Sequence, residues 1–355
     1  EYSQSAMEAP SRHEGISDDH AYLLPHLLWF PTERAGPSGP AATRHPLIVF
    51  LHGAQGRSDT LDDVSLCAEG VPELLGLCAR RSFALLAPQC PASGSGNPSA
   101  SSPAATSEWA STAAQAARVW AVIGHALKEN ATRLDPDNVI VTGISMGGLG
   151  AYMLCARPVP TPVTKASGLA RVAAAVPVCG GGKPIFARPA AANCPRWHFV
   201  HARDDIVIGV EESEMLVEAI SAATDDGSVV VSATILDTAP APRAPGSEWM
   251  AGHAAWVSAY ADEEGELWDD VLGVSLTWKA AHAEEWAAAE ATAAEGGDEE
   301  DLFSMCGLTT VDLEGVVVES DEEEVKEVDQ DQPVVVLKEV AAVVEGVAAQ
   351  ARRSQ

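Results

Sequence analysis

One pentapeptide near the middle of the chain has the spacing of a serine nucleophile. The letters GISMG at 143–147 fit the pattern G-x-S-x-G, with Ser145 at its centre. The preceding letters NVIVTGI predict a buried strand, and residues 146–157 predict a helix. A sharp turn between a strand and a helix exposes the serine hydroxyl above the sheet, and glycines flank it because side chains there would collide with neighbouring backbone.

The alternative interpretation of this turn is a glycine-rich loop that binds phosphate or only packs tightly. The sequence has no lysine directly after the glycines, so it is not a P-loop, and it does not match G-x-G-x-x-G. A nucleotide site is therefore disfavoured.

A serine hydroxyl needs a base, and a histidine oriented by a carboxylate supplies one. In strand-turn-helix sites of this kind the acid and the histidine follow the serine in that order. The letters VHARDDIV place two adjacent carboxylates, Asp204 and Asp205, at the end of a predicted strand. The letters MAGHAAW place His253 in the loop after the next strand, directly behind a glycine. His253 is the one histidine of ten that combines this order with a loop position, and it is the predicted base.

An oxyanion site requires two backbone N–H groups that point at the tetrahedral intermediate, and the loss of one costs about 3 kcal/mol of transition-state stabilisation. Met146, the residue after the nucleophile, supplies one predicted donor. Ala54 supplies the other, because Gly53 lets the backbone of the loop after the strand HPLIVFL approach the site.

The elements around these residues alternate between buried strands and amphipathic helices, which predicts an α/β fold with a mostly parallel central sheet and helices on both faces. A long alanine-rich helix is predicted over 108–134, with the letters DPD at 135–137 ending it, and a last helix over 263–282. The Ser-, Pro- and Ala-rich letters at 91–107 predict a surface insertion. The predicted organisation is a loose N-terminus (1–19), one α/β domain (20–282) and an acidic, partly low-complexity C-terminal extension (283–355).

Composition limits the partners. The chain has 355 residues, is 46% hydrophobic and carries a formal net charge of −29, so it can bury a core and would repel nucleic acid. No run of 18 apolar residues predicts a membrane span.

The seven scattered cysteines form no zinc-ligand pattern and indicate free thiols in a reducing, cytoplasmic compartment, although the chain begins at Glu1 and its N-terminus is expected to be incomplete. The acidic extension is an expected surface for a protein partner.

With these blocks in order, residues 20–275 resemble the phospholipase/carboxylesterase-like branch of the α/β-hydrolase superfamily, which includes esterases labelled predicted peptidases. The matching letters are PLIVFLHGAQGRSD, ALLAPQCP, DPDNVIVTGISMGGLGAYMLCAR, AAAVPVCGGG, HARDDIVIGVEESEMLVEAI and GHAAWVSAYADEEGELWDDVL. The resemblance implies the α/β-hydrolase fold, a triad of Ser145, Asp204 and His253, and oxyanion donors at Ala54 and Met146.

The acid block departs from the family pattern, which has His-Gly before the acid and Val-Pro after it. Here Val200-His201 and Val207-Ile208 stand in those places when Asp204 is taken as the acid, and Asp205 stays the alternative.

The implied activity is hydrolysis of a small-molecule carboxylic ester through an acyl-enzyme, with no metal or organic cofactor. The alternatives are a serine peptidase for short peptides and a catalytically idle scaffold.

Overall fold

The computed structural model describes the greater part of the region before residue 272. The described residues are 7–14, 23–32, 44–58, 61, 70–91, 109–224, 227–241, 250, 252–261, 267–268 and 271. By its contacts the chain divides into two units, Glu1–Ser275 and Leu276–Gln355, and all described residues belong to the first. The predicted acidic extension and most of the predicted insertion at 91–107 lie outside the described residues.

Among the described residues, eight strands form a single sheet in the order β1-β2-β4-β3-β5-β6-β7-β8. They are β1 (Ser11–His13), β2 (His26–Trp29), β3 (His45–Leu51), β4 (Ala84–Pro88), β5 (Leu134–Ile144), β6 (Ala174–Val178), β7 (Arg196–Ala202) and β8 (Val230–Leu236). The pairs β1–β2 and β2–β4 are antiparallel, and every other neighbouring pair is parallel. The predicted, mostly parallel sheet is confirmed.

The described part of the chain contains seven α-helices beside the sheet. They are α1 (Val71–Arg81), α2 (Ala113–Glu129), α3 (Met146–Cys155), α4 (Thr161–Ser167), α5 (Ala187–Asn193), α6 (Glu211–Ala222) and α7 (Trp256–Ala261). None of the described helices is long and apolar enough to cross a membrane.

Both faces of the sheet are covered, as the continuous apolar run of β3 predicts. Leu47, Val49 and Leu51 belong to a core cluster with α2, α3, α5 and α6, whereas Ile48 and Phe50 belong to a second cluster with α1 and α7. Because successive side chains of a strand point to opposite faces, one strand contributes to both cores. The central strand is therefore fixed from both sides.

Helix α2 is shorter than the predicted helix over 108–134. It begins after Thr112, whose Oγ1 accepts the Gln115 N–H at 3.2 Å while Gln115 Oε1 accepts the Thr112 N–H at 2.9 Å. This capping box satisfies two N–H groups at the start of the helix. The helix ends at Glu129, so the letters DPD at 135–137 do not end it; they lie inside β5.

The N-terminal residues also differ from expectation. Ser11–His13 pairs with β2 as an edge strand, although residues 1–19 were expected to be loose. The short helices α4, α5 and α7 carry too few periodic apolar residues to have been predicted. Most of the helix expected over 263–282 lies outside the described residues.

The five described cysteines are buried and are not in disulfides: Cys78, Cys90, Cys155, Cys179 and Cys194. Within the described part of the chain, no group of three or more His, Cys, Asp or Glu side chains is arranged to hold a metal ion.

Candidate active site

The predicted site residues follow strands that end at one edge of the sheet. Strands β3, β5, β7 and β8 run parallel, and they end at Leu51, Ile144, Ala202 and Leu236. Ser145 follows β5 directly, the Asp204-Asp205 pair follows β7, and His253 comes after β8. Because carboxyl ends of parallel strands share an edge, this is where open α/β sheets place their ligand sites.

Ser145 stands at the turn between β5 and α3 in a backbone conformation that is unusual for a residue with a side chain. Its φ is 56° and its ψ is −117°, and its N–H donates to the Val178 carbonyl oxygen at 2.9 Å. Such strain is retained only where the surroundings hold it, and it recurs at functional sites. The predicted sharp strand-to-helix turn is confirmed.

Glycines surround this turn because neighbouring backbone leaves no room for a side chain. A Cβ at Gly143 would lie 2.6 Å from the Leu51 carbonyl oxygen, and a Cβ at Gly147 would overlap that same oxygen. A Cβ at Gly148 would lie 2.6 Å from the Val178 carbonyl oxygen. The steric reason predicted for the flanking glycines is confirmed.

His253 is buried and held by one carboxylate. Its Nδ1 lies 2.6 Å from Asp205 Oδ2, and both side chains are almost fully excluded from solvent. With the hydrogen on Nδ1, the ring donates to the carboxylate, and Nε2 keeps a free lone pair. Nε2 is itself buried and has no hydrogen-bond partner among the described residues. An imidazole in this state is able to accept a proton.

The partner of His253 is Asp205, so the expected pairing of His253 with Asp204 is wrong. Asp204 is exposed, and its Oδ1 accepts the Ala239 N–H at 2.9 Å. The two carboxylates follow the end of β7, where consecutive side chains point in different directions. Asp205 is buried, whereas Asp204 is held by the Ala239 amide in the chain that leaves β8.

No family model and no curated protein matches this chain. Among solved structures, a thermostable esterase aligns with a TM-score of 0.51 and 21% identity over 76% of this chain and 63% of its own. An α/β hydrolase enzyme from a Medee basin deep-sea metagenome library aligns at 0.49 with 13% identity, over 76% and 99% of the two chains. Esterase B from Lactobacillus Rhamnosis aligns at 0.48 with 14% identity, over 78% and 88%.

The chain has the α/β-hydrolase fold. The aligned part covers less than two thirds of the thermostable esterase, and at this identity the similarity concerns the fold.

Within the α/β-hydrolase fold, the loop after β3 lies against the turn that carries Ser145, since Gly147 abuts the carbonyl groups of Leu51 and His52. Ala54 begins a short 3-10 turn in this loop and is exposed. Met146 begins α3, so its N–H has no partner within that helix. Met146 is thus part of the turn that carries Ser145, and Ala54 follows two residues after His52, whose carbonyl group Gly147 abuts.

His52 braces this loop through hydrogen bonds to backbone groups. Its Nδ1 donates to the Gly53 carbonyl oxygen at 2.7 Å, and its Nε2 accepts the Cys90 N–H at 3.0 Å. The Trp109 Nε1–H donates to the His52 carbonyl oxygen at 2.8 Å. Burial lowers the pKa of His52 to about 4 against the opposing effect of the Gly53 carbonyl, and the charge of Arg57 adds to the lowering. The ring therefore stays neutral at neutral pH.

Asp205 is surrounded by donors. Its Oδ1 accepts the N–H groups of Val207 at 2.9 Å and Ile208 at 3.0 Å, and its Oδ2 faces both His253 and His201 Nε2, the latter at 3.2 Å. Burial would raise the pKa of this carboxyl, but hydrogen bonds from His201, His253 and the Ile208 amide outweigh it and lower the pKa. The carboxylate stays ionised beside His253.

His201 is a site residue that the sequence reasoning missed. It is fully buried, its Nδ1 lies 2.8 Å from Ser213 Oγ, and its Nε2 lies 2.9 Å from the Ile208 carbonyl oxygen as well as 3.2 Å from Asp205 Oδ2. The ring is thus fixed on both sides. A signal for it was present: with His201-Ala202 in the His-Gly positions of the family pattern, the block shifts by one residue. That shift also puts Asp205 in the position of the acid.

Proposed function

We propose that this chain hydrolyses carboxylic esters by acyl transfer, with Ser145 as nucleophile, His253 as general base and Asp205 as the acid that orients it. One observation carries the proposal. The Asp205–His253 hydrogen bond of 2.6 Å leaves a buried, unpartnered Nε2 at the sheet edge where Ser145 stands in a strained turn. Acyl transfer requires a base in the correct tautomer and a nucleophile that substrate can reach, and Ser145 is half-buried at this edge.

In the first half of the proposed reaction, Ser145 Oγ attacks the ester carbonyl carbon and its proton passes to His253 Nε2. The N–H groups of Met146 and Ala54 stabilise the negative charge on the carbonyl oxygen. The tetrahedral intermediate then collapses, the alcohol leaves with the proton from His253, and Ser145 keeps the acyl group.

In the second half, His253 Nε2 takes a proton from water, whose oxygen attacks the acyl carbon. Collapse of the second intermediate returns the proton to Ser145 Oγ and releases the acid. Asp205 stabilises the imidazolium in both halves and does not itself take up the proton. Its lowered pKa supports that role.

The experiment is a panel of p-nitrophenyl esters of graded acyl length, run beside the matching p-nitroanilides. We expect hydrolysis of at least the short esters, and much slower cleavage of the anilides, because an amine leaving group must be protonated before it departs. Anilides cleaved as fast as esters would replace the proposal with a peptidase. A folded protein that hydrolyses neither, and that a fluorophosphonate probe does not label, would instead be a scaffold.

A further inference from the structure

Arg57 lies in the loop after β3, next to the proposed oxyanion donors. Its Nη2 is 3.0 Å from the Sδ of Met146, the residue that follows the nucleophile. The side chain is half-buried, and its Nε is buried without a hydrogen-bond partner among the described residues. The guanidinium group of Arg57 thus contacts the side chain of Met146, which belongs to the turn that carries Ser145.

The Met146 sulfur is a poor partner for a guanidinium. A thioether is a weak acceptor, whereas a guanidinium has five N–H donors in a fork that matches a carboxylate. Other arginines of the chain do reach carboxylates: Arg12 contacts Glu14 at 2.5 Å, and Arg133 contacts Glu8 at 2.7 Å. Over the part of the chain that the structure describes, no carboxylate lies within ion-pair distance of Arg57.

The guanidinium of Arg57 is partly buried without a carboxylate partner among the described residues, which is energetically unfavourable. A cation taken partly out of water without an anion loses hydration and gains no pairing in return. The chain carries a net charge of −29, so acidic side chains are abundant, yet none of the described ones neutralises this arginine. Arg57 therefore has N–H donors available for an anion that enters the site.

We propose that Arg57 binds a carboxylate on the substrate, so that the preferred substrates are esters with a negatively charged group near the scissile bond. The inference rests on the proposed esterase function and specifies its substrate class. A bidentate pair with Arg57 would orient the ester toward Ser145, and a hydrogen bond between charged groups changes affinity about 10- to 100-fold.

The test uses two pairs of esters that differ only in charge. The acyl-side pair is the p-nitrophenyl ester of terephthalic acid with one free carboxylate, and its methyl ester. The alcohol-side pair is 4-acetoxybenzoate and its methyl ester. The ratio of kcat/KM for the charged to the neutral member is measured in wild type and in Arg57→Met, so that intrinsic reactivity cancels. We expect this ratio to fall at least tenfold in one pair, which identifies the side that carries the charge.

Arg188→Met is the matched control, because it removes an exposed arginine on α5 and should leave both ratios unchanged. A ratio that changes less than twofold in both pairs would overturn the inference while the esterase function stands. Failure of wild type to hydrolyse all four esters would overturn the esterase function and the inference with it.

A second measurement follows the same ratio as salt is added. Salt weakens the attraction between Arg57 and the charged ester, but it also screens the repulsion between that ester and the net negative chain. The ratio should therefore fall more steeply, or rise less, with salt in wild type than in Arg57→Met or, if that variant does not fold, in Arg57→Gln. The same salt dependence in wild type and variant would contradict the inference.

Discussion

Two regions hold adjacent parts of the proposed site: the nucleophile turn, which carries Ser145, and the acid loop, which carries Asp204 and Asp205. The sequence specifies these two regions in different ways. At the turn, backbone carbonyls of Leu51 and Val178 leave no space for side chains at Gly143, Gly147 and Gly148. In the acid loop, two identical side chains, Asp204 and Asp205, follow each other, and only the second is buried. Steric exclusion selects glycine, so it can be recognised in a sequence. The direction of a side chain after a strand cannot be recognised in this way when two neighbouring residues are identical.

The largest expected effect is at the nucleophile turn. Ser145→Ala should lower kcat for ester hydrolysis by about 10⁶-fold, by analogy with removal of the serine from a serine protease triad. Labelling by a fluorophosphonate should disappear, while the thermal midpoint stays close to that of wild type. Residual labelling of a folded Ser145→Ala variant would show that another residue is the nucleophile.

The second prediction tests the steric account of the turn. Gly147→Ala should lower the free energy of unfolding by about 3 kcal/mol or more, because the new Cβ would overlap the Leu51 carbonyl oxygen and force a backbone shift.

Gly227→Ala is its control, since a Cβ there meets nothing within 4 Å and the cost comes only from a φ of 71°, about 1–2 kcal/mol. Urea unfolding at one pH measures both variants. Gly147 lies inside α3 and has no positive φ, so a loss of stability there comes from crowding. An unfolding free energy that is unchanged or raised in Gly147→Ala would contradict the steric account.

The third prediction concerns the acid loop. His201→Ala should lower kcat about 10- to 100-fold, because Asp205 loses a donor and its carboxylate is oriented less well. His201→Gln, whose amide can donate to Asp205, should recover part of that loss at a similar unfolding midpoint. If the Gln and Ala variants are equally slow at matched stability, His201 does not position Asp205.

Much of the fold could be predicted because its strands are nearly continuous apolar runs between turn residues. The ends of α2 could not, because they depend on the Thr112–Gln115 capping box and not on the Asp-Pro-Asp letters further on. Strand β1 could not either, since three polar residues of an edge strand have no apolar period and are fixed only by pairing with β2.

The site could also be predicted only in part. Ser145 and His253 lie where motif and chain order place them, because each occupies a turn of distinctive composition. The carboxylate that meets His253 depends on a one-residue register, which only the position of His201 in the family pattern could have resolved.

The smallest expected effect is a dependence of stability on pH, which arises in the loop after β3 that lies against the turn at Ser145. Burial lowers the pKa of His52 from 6.5 to about 4, so below pH 6.5 the unfolded chain binds a proton that the folded chain does not. Stability therefore falls as the pH decreases from 6.5 toward 4, by about 2 kcal/mol at pH 5 for this one residue. The carboxylate of Asp205, whose pKa is lowered, contributes stability that is lost only below the usual Asp range.

Urea unfolding at pH 7, 6 and 5 measures this difference. His52→Gln should show a weaker dependence on pH than wild type, although buried His26, whose pKa is also lowered to about 4, keeps some of it. The same slope in both proteins would mean that His52 takes up protons equally in the folded and unfolded states.

The most direct test of the proposed triad compares the two neighbouring aspartates. The kcat for p-nitrophenyl acetate is measured for Asp205→Asn and Asp204→Asn, with folding verified by circular dichroism. Asp205→Asn should be slower than wild type by about 10⁴-fold, because His253 loses the carboxylate that fixes its tautomer and stabilises its charged form. Asp204→Asn should lie within a few-fold of wild type, since its exposed side chain contacts the Ala239 amide and not the histidine. Equal activity in the two folded variants, or a greater loss in Asp204→Asn, would contradict the triad of Ser145, His253 and Asp205.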